Sequence, residues 1–341
     1  MPPVNLYSDT QTRPTAGMRA AIASAVVGDE QRGLDPTTTA LEERVASLLG
    51  FEAAVFLPSG TMCNQIALRL HARPGGDELL LDVSAHPITS EAGGPAQVSG
   101  LMIRALDGDR GVFTGAQLEA ALRPADNRYM PRSRVVSFEQ TSNRGGGRVW
   151  PLDVLSGVLE VARRHGLRAH MDGARLLNAV VASGVPAASY AGGFDTAWLD
   201  FTKGLGAPVG AVLVGSRDLI DEAWRWKQML GGAFRQSGIV AAGCLYALDH
   251  HVDRLAEDHL HARLLADGLA VLPGVRALDS AAVETNIVFF EVDDAPELVR
   301  RVADRVDIQA SGPTQIRAVT HMDVSRADIE RALEAFAQEL G

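Results

Sequence analysis

The sequence is poor in the features that mark secreted and membrane proteins. Its 341 residues include two cysteines, Cys63 and Cys244, which excludes a disulfide framework and fits a reducing compartment. No apolar run approaches the roughly 20 residues of a membrane span, and the first residues lack the apolar core of a signal peptide. The net charge of -10 argues against a nucleic-acid surface and against a polybasic membrane patch. We therefore expect a soluble, cytoplasmic protein that binds neither nucleic acid nor membrane.

Lysine is also scarce. Of the 32 lysine and arginine residues, only Lys203 and Lys227 are lysine. A guanidinium supplies positive charge, but it does not form the Schiff base that a lysine amine forms. Each retained lysine is therefore a candidate for chemistry, although codon bias with two surviving lysines explains the same count.

Short apolar runs alternate with helical patterns over most of the chain. The predicted strands are Ala53–Leu57, Glu78–Val83, Arg134–Phe138, Leu167–Met171, Thr196–Phe201 and Val209–Val214. The predicted helices are Thr61–Leu70, Ala116–Leu122, Leu152–Arg164 and Leu176–Ser183. This alternation predicts an α/β fold with a mostly parallel sheet that is covered on both faces.

The pattern changes near Asp249. A long charged helix is predicted at about Ile239–Leu272, followed by strands at Ile287–Val292 and Gln315–Thr320 and a closing helix at Arg326–Leu340. We therefore predict a large domain of residues 1–248, which includes the N-terminal segment, and a small α+β domain of residues 249–341.

Three local patterns point to one kind of site. Ser59, Gly60 and Thr61 join a strand to a helix, where free backbone N–H groups bind anions, although an ordinary helix N-cap explains the same residues. Asp172 ends a predicted parallel strand, so its carboxylate is expected at the ligand-binding edge of the sheet. Its partner there would be either Arg175 or a protonated nitrogen of a ligand.

The third pattern is Lys203, which enters a glycine-rich turn 31 residues after Asp172. This distance allows one crossover and the next parallel strand. A phosphate-binding turn, an acid and a lysine in this order are what pyridoxal phosphate requires. The lysine forms the Schiff base, the acid keeps the pyridine nitrogen protonated, and the helix start holds the phosphate. We therefore predict pyridoxal 5'-phosphate as the cofactor.

Long motifs in the same order extend over nearly the whole chain. They are LYSDTQTRPT at Leu6–Thr15, GLDPTTTALEERVASLLG at Gly33–Gly50, LPSGTMCNQIAL at Leu57–Leu68, HPITSEAGG at His86–Gly94, HMDGARLLNA at His170–Ala179, TKGLGAPVG at Thr202–Gly210, GGAFRQSG at Gly231–Gly238 and IRAVTHMDVS at Ile316–Ser325. On these motifs the chain resembles the low-specificity L-threonine aldolases, which are fold-type I pyridoxal-phosphate enzymes. The resemblance implies an aspartate-aminotransferase-like large domain with a mostly parallel sheet and a smaller C-terminal α+β domain.

The resemblance also implies roles for individual residues. Lys203 would carry the cofactor, Asp172 would face its pyridine nitrogen, and His86 would stack on its ring. The residues implied at the cofactor are Ser59, Gly60, Thr61, His86, Asp172, Arg175, Lys203 and Arg235. The residues implied at the substrate are Ser8, Ser142, Arg175 and Arg317, and the two arginines would hold its carboxylate. Arg235 would reach the phosphate from a neighbouring subunit, so the active sites would be shared in a homodimer or homotetramer.

The chain departs from this family at one loop. Many relatives carry a histidine that faces the substrate hydroxyl, and here Ser142 occupies that place. Serine without an adjacent base does not accept a proton near neutral pH, so we expect His86, or a water that it polarises, to be the base. The smaller side chain would leave space beside the β-carbon, which predicts a preference for phenylserine over threonine.

Two further features receive ordinary interpretations. His250, His251, His259 and His261 contain no pair at the i,i+4 spacing that brings two ligands together, so we expect a solvated helix face and no metal site. Lys227 has no framing acid or glycine-rich turn, so we interpret it as a structural or interface residue near the active site.

We therefore expect a carbon–carbon lyase that reversibly cleaves 3-hydroxy-L-amino acids such as threonine, allo-threonine and phenylserine to glycine and an aldehyde. One alternative is a pyridoxal-phosphate-dependent β-eliminating lyase that acts on a small amino acid, since the cofactor machinery is shared. The other is a non-catalytic, aldolase-like binding protein, against which the retention of Lys203 and Asp172 argues.

Overall fold

The computed structural model of the protein describes residues 2–73 and 75–341. Its strands are β1 Val4–Asn5, β2 Ala53–Leu57, β3 Glu78–Asp82, β4 Met102–Leu106, β5 Ser133–Glu139, β6 Arg168–Asp172, β7 Thr196–Asp200, β8 Ala211–Gly215, β9 Ile287–Glu291, β10 Val306–Asp307, β11 Gln309–Ala310 and β12 Gln315–Val319. Its helices are α1 Ala16–Ala23, α2 Pro36–Leu49, α3 Gly60–His71, α4 His86–Thr89, α5 Gly94–Ser99, α6 Gly115–Ala121, α7 Leu152–Arg164, α8 Leu176–Ser183, α9 Ala187–Ala191, α10 Arg217–Met229, α11 Gly238–His250, α12 Leu255–Ala270, α13 Ala295–Val302 and α14 Arg326–Leu340. Short 3-10 helices lie at Asp9–Gln11, Glu30–Arg32 and Ser280–Ala282.

The central sheet has seven strands in the order β2-β8-β7-β6-β5-β3-β4. Strands β4, β3, β5, β6 and β7 run parallel to their neighbours, whereas β8 is antiparallel to both β7 and β2. The inner strands are almost entirely buried because helices cover both faces of the sheet. The predicted α/β fold with a mostly parallel sheet is confirmed.

This topology places several strand ends together. The carboxyl ends of β5, β6 and β7 lie at one edge of the sheet, and β2 also ends there because it runs opposite to β8. Ligands of open α/β sheets bind in the crevice outside this edge. The chain leaves the edge after Leu57, Glu139, Asp172 and Asp200, which brings the loops that follow these residues close to one another.

A second core lies beneath the antiparallel sheet β11-β12-β9. Helices α12, α13 and α14 bury their apolar faces there. The N-terminal strand β1 pairs with β10, and Val4 and Leu6 are buried in this second core. The N-terminal segment thus packs on the C-terminal part of the chain, and the proposed division at residue 248 remains a prediction.

The long helix predicted at about Ile239–Leu272 is wrong. The structure has two helices, α11 and α12, separated at residues 251–254. The His251 ring hydrogen-bonds the carbonyl of Leu205 at 2.7 Å, and Arg254 binds Asp258 in the first turn of α12 through two hydrogen bonds. These contacts fix the chain in the bend between the two helices.

The expected solvated histidine face is also wrong in part. His251 and His261 are buried, and so is the neighbouring Asp258. Helix α12 lies between α8 and α14, so much of its surface is covered.

Among the described residues no group of three His, Cys, Asp or Glu side chains is arranged to hold a metal ion. Within residues 2–73 and 75–341, no helix combines the length and the apolar character needed to cross a bilayer.

Candidate active site

A cavity of about 370 Å³ opens at the carboxyl edge of the central sheet. Most of the residues singled out in the sequence line it, namely Ser8, Ser59, Gly60, Thr61, His86, Asp172, Arg175, Lys203 and Arg317. These residues come from the N-terminal segment, from the loops and helix starts that follow the central strands, and from β12, which are far apart in the sequence. The fold therefore gathers one set of cationic, acidic and backbone groups around a single cavity.

Lys203 lies just beyond the end of β7. Its Nζ is 3.0 Å from Oδ2 of Asp200, the last residue of that strand, and 5.8 Å from the centre of the Trp198 ring. The backbone carbonyl of Lys203 accepts a hydrogen bond of 2.8 Å from Thr12 Oγ1. The lysine is thus held on its backbone side while its amine lines the cavity.

The start of α3 forms another wall of the cavity. Ser59 caps the helix, its side chain accepting a hydrogen bond from the Met62 N–H. A Cβ at Gly60 would lie 2.1 Å from the Trp198 ring, so this position requires glycine. The free N–H groups and positive end of the helix dipole give this wall the chemistry of a phosphate site.

Asp172 is the last residue of β6 and is only 1% exposed. Its Oδ1 accepts a hydrogen bond from the Ala174 N–H at 3.0 Å, and its Oδ2 accepts one from Asn64 Nδ2 at 2.8 Å. Burial raises the pKa of this carboxyl, while the nearby His86 and the Asn64 amide act in the opposite direction. Among the described residues no arginine pairs with this buried carboxylate, so it suits a protonated nitrogen of a ligand.

Arg175, the alternative partner of Asp172, binds Asp9 instead. Two hydrogen bonds, of 2.7 Å from Nε and 2.6 Å from a terminal nitrogen, join its guanidinium to the Asp9 carboxylate. Both side chains are buried, and although burial acts to raise the pKa of Asp9, the charge of Arg175 holds it well below its usual range. Nε and one terminal nitrogen of Arg175 are therefore already hydrogen-bonded to a residue of the same chain.

Arg317 retains more free donors than Arg175. One terminal nitrogen donates to Asn143 Oδ1 at 2.8 Å and the other approaches the Tyr7 carbonyl at 3.4 Å. Its buried Nε has no hydrogen-bond partner among the described residues. Burial, together with the nearby charge of Arg175, lowers the pKa of Arg317 to about 10. A carboxylate of a ligand would satisfy these donors.

His86 lies at the mouth of the cavity with its side chain 38% exposed. Its Nδ1 is 2.8 Å from Oε1 of the buried Glu91, and this hydrogen bond raises the pKa of His86. The backbone N–H of His86 donates to Glu139 Oε2 at 3.0 Å. Burial and the charge of Asp172 raise the pKa of Glu139 to about 7. The imidazole thus lies between an acidic cluster and the open cavity.

Ser142 differs from its expected place. It does not line the cavity, and its Oγ accepts a hydrogen bond from the Gly145 N–H at 3.2 Å. The same oxygen packs so closely on Gly111 that a Cβ there would lie 2.0 Å from it. The loop presents Asn143 to the cavity instead. The size argument for phenylserine, which placed residue 142 beside the substrate, has no support in this geometry.

Arg235 also lies away from the cavity lining. Its side chain is 66% exposed, and a terminal nitrogen is 3.7 Å from Asp29. The resemblance assigned this arginine to the site of a neighbouring subunit, so its role remains a prediction.

Lys227, the other lysine, is fully buried and forms an ion pair with Glu30. Burial lowers the pKa of this amine, and it does not line the cavity.

Sequence reasoning missed several polar residues of the site: Asp9, Asn64, Glu91, Glu139, Asn143 and Asp200. Glu139 had a usable signal, since it ends the strand next to Asp172 and the two residues are paired in register. Asp200 ends the next strand in the same way. Asn64 and Asp9 carry no such local signal, because their roles depend on contacts with residues more than 100 positions away.

Comparison with known proteins agrees with this geometry. Residues 5–295 match the β-eliminating lyase family. Low-specificity L-threonine aldolase 1 of Arabidopsis thaliana is 38% identical over 99% of this chain and 96% of its own length. The low specificity L-threonine aldolase of Escherichia coli strain K12 is 38% identical over 96% of both chains.

Solved structures share the fold at lower identity. Threonine aldolase of Leishmania major aligns over 99% of this chain and 100% of its own, with a TM-score of 0.85 and 20% identity. A putative L-allo-threonine aldolase of Listeria monocytogenes aligns over 99% and 97%, with a TM-score of 0.81 and 21% identity. From the family match and the sequence relatives, the chain belongs to the β-eliminating lyase family and, within it, to the low-specificity L-threonine aldolases.

Proposed function

We propose that the protein is a pyridoxal-phosphate-dependent aldolase that reversibly cleaves 3-hydroxy-L-amino acids to glycine and an aldehyde. The observation that carries the proposal is the shared cavity, in which a lysine amine, an unpaired buried aspartate, a helix N-terminus and an arginine with spare donors come together. The relatives that match nearly the whole chain support the same activity.

The residues present fit the cofactor. Lys203 would attach it, the N-terminus of α3 with Ser59 and Thr61 would hold its phosphate, and Asp172 would face its pyridine nitrogen. The fit rests on observed chemistry. The start of α3 lines the cavity, and Gly60 packs on the Trp198 ring with no room for a Cβ. Asp172 accepts hydrogen bonds from Asn64 and Ala174, and among the described residues no cationic side chain forms an ion pair with it. When bound, pyridoxal phosphate supplies an electron sink for the pair of electrons left at the amino-acid α-carbon.

We assign the binding of the substrate carboxylate to Arg317. Its unpartnered Nε and its terminal nitrogens offer a fork that matches a carboxylate. Arg175 would support this site while bound to Asp9, and Ser8 lies on the same wall. This arrangement would orient the amino acid before any bond is broken.

We assign the removal of the β-hydroxyl proton to His86. With Nδ1 directed to Glu91, the nitrogen left to accept a proton is Nε2. The hydrogen bond that His86 Nδ1 donates to Glu91 raises the pKa of the imidazole, which makes it a stronger base but lowers the fraction of neutral ring near pH 7. Asn143, not Ser142, would be the loop residue at the substrate.

We further propose that the enzyme is a cytoplasmic homodimer or homotetramer with shared active sites. Both cysteines are free and buried, which suits a reducing compartment. Arg235 is exposed and does not line the cavity of its own chain, so its side chain is available to a neighbouring subunit.

A product assay tests the activity. Holoenzyme incubated with L-threonine, L-allo-threonine or L-phenylserine is expected to release glycine and aldehyde in equal amounts, and the Lys203→Arg variant is expected to release neither.

A second candidate, a β-eliminating lyase, is favoured by the name of the matching family and would release ammonia and an oxo acid. Formation of those products without glycine would replace the proposal with this candidate. No reaction and no cofactor absorption band would indicate a binding protein.

A further inference from the structure

A line of buried side chains between α3 and the central sheet leads to Asp172. It starts at His71 at the end of α3 and passes through Thr196, His170 and Asn64. All four side chains are buried, with Asn64 only 1% exposed. The proposed roles of Lys203, His86 and the arginines do not involve these side chains.

The Asn64 amide has one orientation in this line. Its Oδ1 is 2.7 Å from Trp198 Nε1, and an indole N–H is a donor only. The atom facing Trp198 must therefore be the oxygen. The Asn64 Nδ2 then faces two carboxylates, with Asp172 Oδ2 at 2.8 Å and Glu91 Oε1 at 2.7 Å. Both N–H groups of the Asn64 amide therefore donate hydrogen bonds to carboxylates.

The direction of every other bond follows from this orientation. His170 Nε2 is 3.0 Å from Asn64 Oδ1, which is an acceptor, so Nε2 must carry a proton. Burial lowers the pKa of His170 to about 3, so the ring is neutral and its Nδ1 is an acceptor. Thr196 Oγ1, 2.8 Å away, therefore donates its proton to Nδ1.

The same reasoning reaches the far end of the line. Because the Thr196 hydroxyl has given its one proton to His170, it accepts at Oγ1 from His71 Nε2, also 2.8 Å away. Burial lowers the pKa of His71 to about 4, so this ring is neutral as well. Each N–H or O–H in the line therefore points toward Asn64, and the Asn64 N–H groups point toward Asp172 and Glu91. Hydrogen bonds aligned in this way polarise one another.

We propose, on the basis of the proposed function, that Asn64 is a positioning residue that holds Asp172 ionised and oriented toward the cofactor nitrogen. The line from His71 through Thr196 and His170 fixes the Asn64 amide. Asn64 also hydrogen-bonds Glu91, which is the hydrogen-bond partner of His86. The same amide therefore orients Asp172, which would face the cofactor nitrogen, and Glu91, which holds the proposed base His86.

Helix α3 offers a matched control at the next position. Gln65 is buried like Asn64 and its Nε2 donates to the other oxygen of Glu91, but it makes no hydrogen bond to Asp172. Gln65→Leu therefore removes a buried amide and a bond to Glu91, while Asn64→Leu also removes the bond to Asp172. A general loss of packing would affect both variants similarly.

The experiment measures the ¹⁵N chemical shift of ¹⁵N-labelled pyridoxal phosphate in the loaded variants, together with kcat and KM. We expect the pyridine nitrogen to remain protonated in the wild type and in Gln65→Leu, and to lose protonation in Asn64→Leu. The kcat of Asn64→Leu is expected to fall by about tenfold or more, as for other outer partners of a reacting group, with a smaller change in KM. Equal shifts and equal losses in the two leucine variants would overturn the proposal.

A second measurement determines the protonation of the histidine rings in the unsubstituted holoenzyme. The ¹⁵N spectrum of the histidine rings is expected to show neutral His170 protonated at Nε2, assigned by the signal that is lost in His170→Gln. Thr196→Val, which removes the hydroxyl and keeps the shape, is expected to broaden or shift that signal. A His170 ring protonated at Nδ1 would overturn the inference even if the enzyme is an aldolase. Conversely, the expected ring state without aldehyde release would refute the proposed function alone.

Discussion

Burial raises the pKa of the Asp172 carboxyl, while the charge of His86 and the hydrogen bond from Asn64 act in the opposite direction. A ligand nitrogen that carries a proton would favour the ionised carboxylate further, since the two charges would pair. The value of the residue to the reaction therefore lies in its charge and not in its shape.

Asp172→Asn tests that statement. The amide keeps the size of the side chain and one acceptor oxygen, but it offers no charge to a pyridinium. We expect the variant to bind pyridoxal phosphate and to lose more than tenfold in kcat/KM, equivalent to about 1.4 kcal/mol of barrier. Cofactor content by absorbance and initial rates with L-threonine measure the two properties. A loaded variant with a smaller loss would contradict the role of Asp172.

The pH dependence tests His86 as the base. The hydrogen bond to Glu91 raises the pKa of His86 above 6.5, and only the neutral ring accepts a proton. We therefore expect kcat/KM to rise with pH as His86 loses its proton. Glu91→Gln removes the largest cause of the raised pKa, so the rising limb should move to lower pH. An unmoved limb would show that another group is the base.

Lys203 and Asp172 could be identified in the sequence, whereas four other acidic residues of the site, Asp9, Glu91, Glu139 and Asp200, were missed. Lys203 stood out because lysine is scarce, and Asp172 because it ends a strand. Ser142 was assigned by its place in a motif, whereas the loop geometry turns its hydroxyl toward Gly145. A motif specifies the order of residues, but the path of a loop decides which side chain lines the cavity.

At the scale of elements, the N-terminal segment is fastened at two points. Strand β1 pairs with β10, and a few residues later Asp9 binds Arg175 beside the cavity. Asn286 Nδ2 also donates to the Asp9 carboxylate, at 3.1 Å. This segment carries Ser8 and Thr12 to the site, so its position matters for the cavity wall and for the Lys203 loop.

Asp9→Asn is expected to loosen this segment. It would leave the buried Arg175 without its charge partner, and breaking a buried pair in this way costs about 3 to 5 kcal/mol of the free energy of unfolding. The matched control is Asp249→Asn, which breaks the exposed pair with Arg44 and is expected to cost about 1 kcal/mol or less. Denaturant unfolding of both variants measures the difference. Similar losses in the two would contradict the anchoring role of Asp9.

Elements with a clear local period were predictable. The bounds of α7, α8 and α14 match the sequence pattern, since their apolar faces repeat at helical spacing against the two cores. The break between α11 and α12 was not predictable, because it depends on the contact of His251 with the carbonyl of Leu205, 46 residues away. Local patterns contain no information about such contacts.

At the scale of the whole molecule, the proposed sharing of active sites has a direct consequence for hybrids. Chains carrying Lys203→Arg and chains carrying Arg235→Ala should each be inactive or weakly active alone. If Arg235 acts across the subunit interface, a mixed oligomer contains sites with one intact lysine and one intact arginine.

We therefore expect co-expression of the two variants to produce activity that exceeds both parents. Purification through two different tags isolates the hybrid, and the rate of L-threonine cleavage measures it. Co-expression of Lys203→Arg with Asp172→Asn is the control, because Lys203 and Asp172 line the cavity of the same chain and no intact site would form. A hybrid no more active than its parents would refute an Arg235 contribution in trans.

The central claim is that the cavity containing Lys203 is where pyridoxal phosphate is bound and used. The most direct test is borohydride reduction of the holoenzyme followed by peptide mapping by mass spectrometry. We predict that the cofactor is found on Lys203, which lines the cavity, and that Lys227, buried in an ion pair with Glu30, stays unmodified. Label on Lys227, or on neither lysine in a cofactor-loaded and active protein, would contradict the account.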